Sequence, residues 1–259
     1  MKKLNLQIVS MFFVSSLLFV SCLDGDGSNK EVGYVVGVVR SIDYVNNVLD
    51  IANDGPSLFS SVFANREGEC YHIGYEIDYD LPENSYESVL AKGYYKVTVF
   101  DMVKVEKYGM SYSITDPSEV LYNEVAISDP VADGNGVYVK GILFIMNFFG
   151  IPADKISYWD LSCDFENVVT EENGQRYYDV FLRCVASESN PTQSTETPGI
   201  INAFDVKYYI EKIAQDEKNL GGKSFKLRFN YVSKIENGQP TWAKKDTKEI
   251  LIEDILSSK

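Results

Sequence analysis

The amino-acid sequence predicts a mostly β protein with minor helix, built as two consecutive β-units behind an N-terminal export segment. From Val32 onward apolar residues recur with a period of two rather than 3.6 over most of the chain. The 18 Tyr and 14 Phe among 259 residues suit pleated, half-buried surfaces. The cluster Ile127 to Gly136 concentrates turn formers and interrupts the alternation, which divides one unit from the next.

Residues 1–21 have the three parts of an export signal: Lys2 and Lys3, an apolar stretch from Ile8 to Val20, and small Ser21. The stretch is too short to span a membrane, which takes about 20 apolar residues. Phe19-Val20-Ser21-Cys22 resembles a bacterial lipobox, with Phe19 where Leu is usual. The resemblance implies cleavage before Cys22 and a diacylglycerol on its thiol; ordinary cleavage nearby would leave Cys22 as a thiol in the tail. Residues 22–31 read as an acidic tether. Asp24 in it resembles the export signal of surface lipoproteins of Bacteroidetes, which implies an outer-membrane lipoprotein exposed on the cell surface. Asp24-Gly25-Asp26-Gly27 is no calcium loop, because Val35 occupies the position where an EF-hand needs Glu.

The first unit is expected over 32–126. Val32 to Ser41 and Val48 to Ala52 form a hairpin across Tyr44 to Asn47. Cys70 to Asp80 alternates most clearly, with Tyr71, Ile73, Tyr75, Ile77 and Tyr79 on one face. Tyr94 to Lys107 puts Val97, Val99, Val103 and Val105 on one face. Leu58 to Asn65 and Tyr86 to Ala91 supply short helical turns. The linker covers 127–136 and the second unit 137–259.

In the second unit, Asn173-Gly174 is a two-residue hairpin signal. Centring the turn there pairs positions that sum to 347, so Val169 faces Tyr178, Glu171 faces Arg176, and Cys163 faces Cys184. The last pair is either a cross-strand disulfide or two small apolar residues of a core. Ser187 to Gly199 is a polar loop without periodicity. Asn202 to Leu220 has helical spacing, although Ala203 to Tyr208 also reads as strand, and Gly221-Gly222 stops the helix.

Cys22-Leu23-Asp24, Gly74-Tyr75-Glu76-Ile77, Tyr95 to Val99, Asp129-Pro130-Val131, Val180 to Cys184 and Phe204-Asp205-Val206 together resemble the NigD-like lipoproteins of Bacteroidetes. The resemblance implies an N-terminal OB-like barrel followed by an immunoglobulin-like β-sandwich. Where that family tends to show Arg-His-Asn this chain has Arg183-Cys184-Val185, so no role attached to a His there transfers. The family implies no reaction, and its name comes from a bacteriocin operon.

Composition limits the chemistry. The formal charge of −14 becomes −16 once Lys2 and Lys3 leave with the signal, which excludes nucleic acid as a partner and removes the cationic half of an OB nucleic-acid groove. With His72 as the sole histidine, multi-His metal sites and His relays are excluded. Cys70 and His72 share a strand face at about 7 Å, beyond the reach a nucleophile and base require. Asp78, Asp80 and Glu83 read as a solvated strand end. No cofactor, metal site or catalytic residue is expected. Trp159 and Trp242 are the expected exposed stacking residues, and Ser187 to Gly199 the expected contact loop. The reading is a non-enzymatic surface lipoprotein that binds protein or glycan, held to the membrane by its lipid. The alternatives are a carboxylate-dependent glycan hydrolase with a site between the units, and an accessory factor in bacteriocin production or immunity.

Overall fold

The computed structural model describes residues 29–43, 46–52, 55–130, 137–165, 169–172, 175–188, 199–247 and 249–256. The export segment, Cys22 with the tether up to Ser28, the Asn173-Gly174 turn and residues 189–198 of the polar loop lie outside them.

Alternation in the first unit closes a barrel. Its strands are β1 (Lys30–Ser41), β2 (Asn47–Asp50), β3 (Ser57–Phe59), β4 (Cys70–Asp78) and β5 (Tyr94–Val105), with helix α1 (Tyr86–Lys92) between the last two. They run in the order β1-β2-β3-β5-β4, and β4 returns to β1 from Lys30 opposite Asp78 to Val38 opposite Cys70. Val39, Leu49, Leu58, Phe63, Tyr71, Ile73, Ile77 and Val97 fill the interior. Closure leaves no free edge in the barrel.

The alternation expected along β5 breaks in the middle. Gly74 pairs with Asp101 and Tyr75 with Val99, so Phe100 is an extra residue, a β-bulge that reverses the parity beyond it. Met102 therefore turns to the barrel core, while Val103 is 54% exposed and no longer shares a face with Val97 and Val99. Phe100 lies over Gly74, where even a Cβ would come within 2.4 Å of its ring.

The second unit is a curled sheet around a helix. Its strands are β6 (Lys107–Ser111), β7 (Glu124–Val125), β8 (Ile127–Asp129), β9 (Val137–Val139), β10 (Ile142–Phe149), β11 (Ile156–Ser162), β12 (Val169–Glu172), β13 (Gln175–Ala186) and β14 (Gly199–Asp205). After α2 (Lys207–Asn219) come β15 (Ser224–Phe225), β16 (Leu227–Glu236), β17 (Gln239–Asp246), β18 (Ile250–Leu251) and α3 (Ile252–Leu256). The main path is β17-β16-β13-β11-β6-β14-β10-β8, with β7 and β12 on β13 and β9 on β10. Its two halves wrap one core: Leu143, Ile145 and Phe204 meet Trp159, Leu161, Tyr178, Leu182 and Phe229. Three pairings, β6 with β11, β6 with β14 and β13 with β16, are parallel.

The helix expected over Asn202 to Leu220 divides as the sequence allowed. Gly199 to Asp205 is strand, and α2 buries Tyr209, Ile210, Ile213, Ala214 and Glu217, the stripe that faces the core. Gly221 at φ +82 stops it, with the Gly222 N–H donating to the Glu217 carbonyl at 2.8 Å, the closure that a left-handed residue permits.

The change of unit comes earlier than the 127–136 segment. β6 follows β5 after the single residue Glu106 and already pairs within the second sheet, as do β7 and β8. The start of that segment, Ile127–Asp129, is itself strand β8 of the second sheet rather than a linker ahead of it. The units meet through Val36, Cys70 and Val105 of the barrel against Val139, Ile142, Phe144 and Ala203.

The hairpin register is as expected near its turn, with Val169 opposite Tyr178 and Glu171 opposite Arg176. It does not extend to the cysteines. β13 changes partner to β11, where Trp159 faces Cys184 and Ser162 faces Phe181, so paired positions sum to 343 instead of 347. Cys163 is thereby displaced from Cys184, and both are free buried thiols rather than a disulfide. The register fails because β12 is four residues long and a separate strand takes over beyond it.

Candidate functional site

Three parallel strands end at one edge of the second sheet. β6, β11 and β14 run in the same direction, registered by Leu161 opposite Met110 and by Asp205 opposite Gly109. Their C-terminal ends release Tyr112-Ser113-Ile114, Asp164-Phe165 and the first turn of α2 with Tyr208 side by side. These six residues line a groove of about 550 Å³. Carboxyl ends of parallel strands are a recurrent place for a ligand crevice, since the chain diverges there.

The walls are aromatic. Phe165 and Tyr208 stack at 5.8 Å with 12° between their planes, and Tyr112 meets both edge-on at 5.5 and 5.9 Å. Lys212, one turn along α2, places Nζ 5.4 Å from the Phe165 ring and is itself held by Asp216 at 2.5 Å. Tyr208 is 62% exposed and Tyr112 42%. Burial, and behind it Cys163 and Asp205, push the Tyr112 phenol above its ordinary pKa, so it stays protonated and able to donate. Asp164 supplies the carboxylate among the lining residues.

The loop that carries Ser113 and Ile114 is fastened from the opposite half of the sheet. The Trp242 Nε1–H donates to the Pro117 carbonyl at 2.8 Å, and Arg183 donates to the Glu119 carbonyl at 2.6 Å. The Arg183 guanidinium lies 5.1 Å from the Trp242 ring centre. Glu124 accepts from the Leu121 N–H at 2.8 Å and pairs with Arg183 at 3.1 Å, both side chains being fully enclosed.

Neither expected stacking residue belongs to the groove. Trp159 is 3% exposed, a core residue opposite Cys184, because its strand face is the one the sheet curls over. Trp242 is half-buried against the edge of Phe181 and serves as a clamp for the loop. Cys70 and His72 stand two residues apart on β4, on one face as expected, in different surroundings. Cys70 lies between the units with its thiol pushed up to about 11 by burial, whereas His72 has its ring 5.9 Å from Tyr34 and a pKa lowered by burial. Asp78 and Glu83 at the strand end are ion-paired, at 3.8 Å with Lys30 and 3.0 Å with Lys96. Among the described residues no group of three acids, cysteines or histidines could hold a metal. No described helix is long and apolar enough to cross a membrane. Tyr112, Phe165 and Tyr208 were not legible as a set, since each is one aromatic among many and only the parallel pairing brings their segments together.

A family model for the lipoprotein OB domain matches residues 27–103, the barrel. No curated protein matches the chain. An uncharacterized protein from Parabacteroides merdae shares the fold with a TM-score of 0.72 at 19% identity, over 85% of this chain and 99% of that one. A lipoprotein candidate from Bacteroides fragilis does so at 0.57 and 9% identity, over 85% and 99%. A NigD-like immunity protein from Bacteroides caccae aligns at 0.45 and 12% identity, over 82% and 91%. The resemblance to lipoproteins of Bacteroidetes read from the sequence stands, and the N-terminal unit matches the model of the lipoprotein OB domain.

Proposed function

We propose that this protein is a surface lipoprotein, anchored through Cys22, that binds a glycan in the groove between Tyr112, Asp164 and Tyr208 without reacting with it. The observation that carries the reading is an exposed aromatic surface beside a carboxylate and hydroxyls in one concave place. A pyranose offers an apolar C–H face for the Tyr208 ring and hydroxyls for Asp164, Ser113 and the two tyrosine O–H groups. Anionic ligands suit the groove poorly in a chain of net charge −14.

Hydrolysis would need a second carboxylate across the scissile bond. Asp164 is the acid that lines the groove among the described residues, so binding is the simpler use. The lipid anchor is supported by the family model, which begins five residues after Cys22, and Asp24 supports export to the surface.

A glycan panel presented to residues 29–259 tests the reading. The wild type is expected to bind at least one polymer, and Tyr208→Ala to lower that affinity about tenfold with an unchanged melting temperature, since Tyr208 is mostly exposed. Equal affinity of wild type and variant would sink the groove assignment. New reducing ends in the bound glycan would sink the non-enzymatic half.

A further inference from the structure

We propose that the α1 end of the barrel rests on the lipid surface to which the chain is anchored, with Tyr86 and Leu90 in the interfacial layer and Leu81 beside them. The inference rests on the anchor at Cys22 proposed above and adds where the body sits on the membrane.

Exposed apolar side chains of the barrel unit include Val32, Tyr34, Phe100 and Val103 on the strands β1 and β5, but the two most exposed belong to α1. Tyr86 is 80% exposed and Leu90 72%, and a spacing of four puts them on the same face of α1 while Val89 packs inward at 5%. Leu81, 38% exposed, lies just ahead of the helix. Nothing among the described residues covers this face. A single apolar side chain in water is ordinary, but a Tyr and a Leu on one short helix form a patch with a direction.

The path of the chain says what lies opposite that patch. Residues leading from the anchor arrive at Asn29, whose carbonyl accepts from the Tyr79 N–H at 2.9 Å, and Lys30 pairs with Asp78. The Asn84 side chain donates to the Asp78 carbonyl at 2.8 Å, two residues before α1 begins. The start of α1 therefore sits against the strand end where the chain departs for the membrane. Seven steps from Cys22 to Asn29 reach at most about 25 Å when fully extended. The headgroup layer takes up a part of that, about 5 to 8 Å, so the barrel cannot move far from the lipid and this end is the near one.

Chemistry selects the kind of surface. Tyrosine and leucine suit the interfacial layer, where a ring sits at headgroup level and an alkyl group reaches the first methylenes. Two side chains bind too weakly to hold a protein alone, but tethering raises their effective concentration to the millimolar range. Glu83 and Glu87 flank the patch along with Lys92, so neutral headgroups are favoured over anionic ones.

The test uses the full-length lipidated protein in phosphatidylcholine vesicles, with brominated lipid as a contact quencher. Tyr86→Trp is compared with Tyr122→Trp, a position 83% exposed on the second unit, and the emission of the native tryptophans is subtracted from both. Emission from the Tyr86→Trp variant is expected to fall by half or more, that from Tyr122→Trp to remain, and Leu90→Glu in the first variant to restore the signal. Equal quenching at the two positions in protein that floats with the vesicles overturns the docked orientation and leaves the anchor standing. Protein that does not float, with a Cys22 peptide lacking the mass of diacylglycerol, overturns the anchor reading and the orientation with it.

Discussion

Arg183 joins the two halves of the groove's support, and its surroundings have a pH signature. Its side chain is 2% exposed against Glu124 at 0%, and the pair contacts at 3.1 Å without the alignment of a hydrogen bond. A buried pair of this kind adds little net stability, but losing one partner leaves an uncompensated charge. Asp160 lies close enough to feel the same cation. Burial pushes the carboxyls of both Glu124 and Asp160 above their ordinary values, although the positive charge of Arg183 pulls them back. A carboxyl whose folded pKa is raised favours folding below its unfolded value and loses that contribution as pH rises through the folded one. Asp160→Asn cannot ionise. Its stability in urea is therefore expected to improve relative to wild type as pH rises from about 4 through the raised value, and a pH-independent difference would contradict this.

At the scale of elements, Asn84 shows how α1 is held. Its side chain is 3% exposed, donates to the carbonyls of Asp78 and Lys96, and accepts from the Lys96 N–H at 2.7 Å. Asn84→Ala would remove three hydrogen bonds to the backbone, an expected loss of about 3 kcal/mol read from urea unfolding. Near neighbours of this sort decide what is legible in a sequence. The alternation of β4 and the register of Val169 with Tyr178 follow from a period and a turn, both local. The bulge at Phe100 is not local, because it is fixed by the partner strand, and it misplaced Val103. The paired cysteines failed similarly when β13 exchanged β12 for β11. Tyr112, Phe165 and Tyr208 come from the ends of three strands whose parallel order no local signal announces.

At the scale of the whole molecule, a small apolar contact joins barrel and sheet. Phe144 is 3% exposed there, with Cys70, Val105 and Ala203 around it. Phe144→Asp would bury a charge in that contact, so calorimetry is expected to resolve two unfolding transitions where the wild type shows one. One transition at an unchanged temperature would show that the contact does not couple the units. The direct passage from β5 through Glu106 into β6 has another consequence. β1 and β5 each pair antiparallel with β4, so they point the same way. If the N-terminus is held at a membrane and a large polymer drags on the groove, tension enters at the start of β1 and leaves at the end of β5. The barrel is then loaded lengthwise in shear, with its ladders sharing the strain together rather than opening one bond after another. Such a joint resists flow in the direction that anchored capture would impose on it.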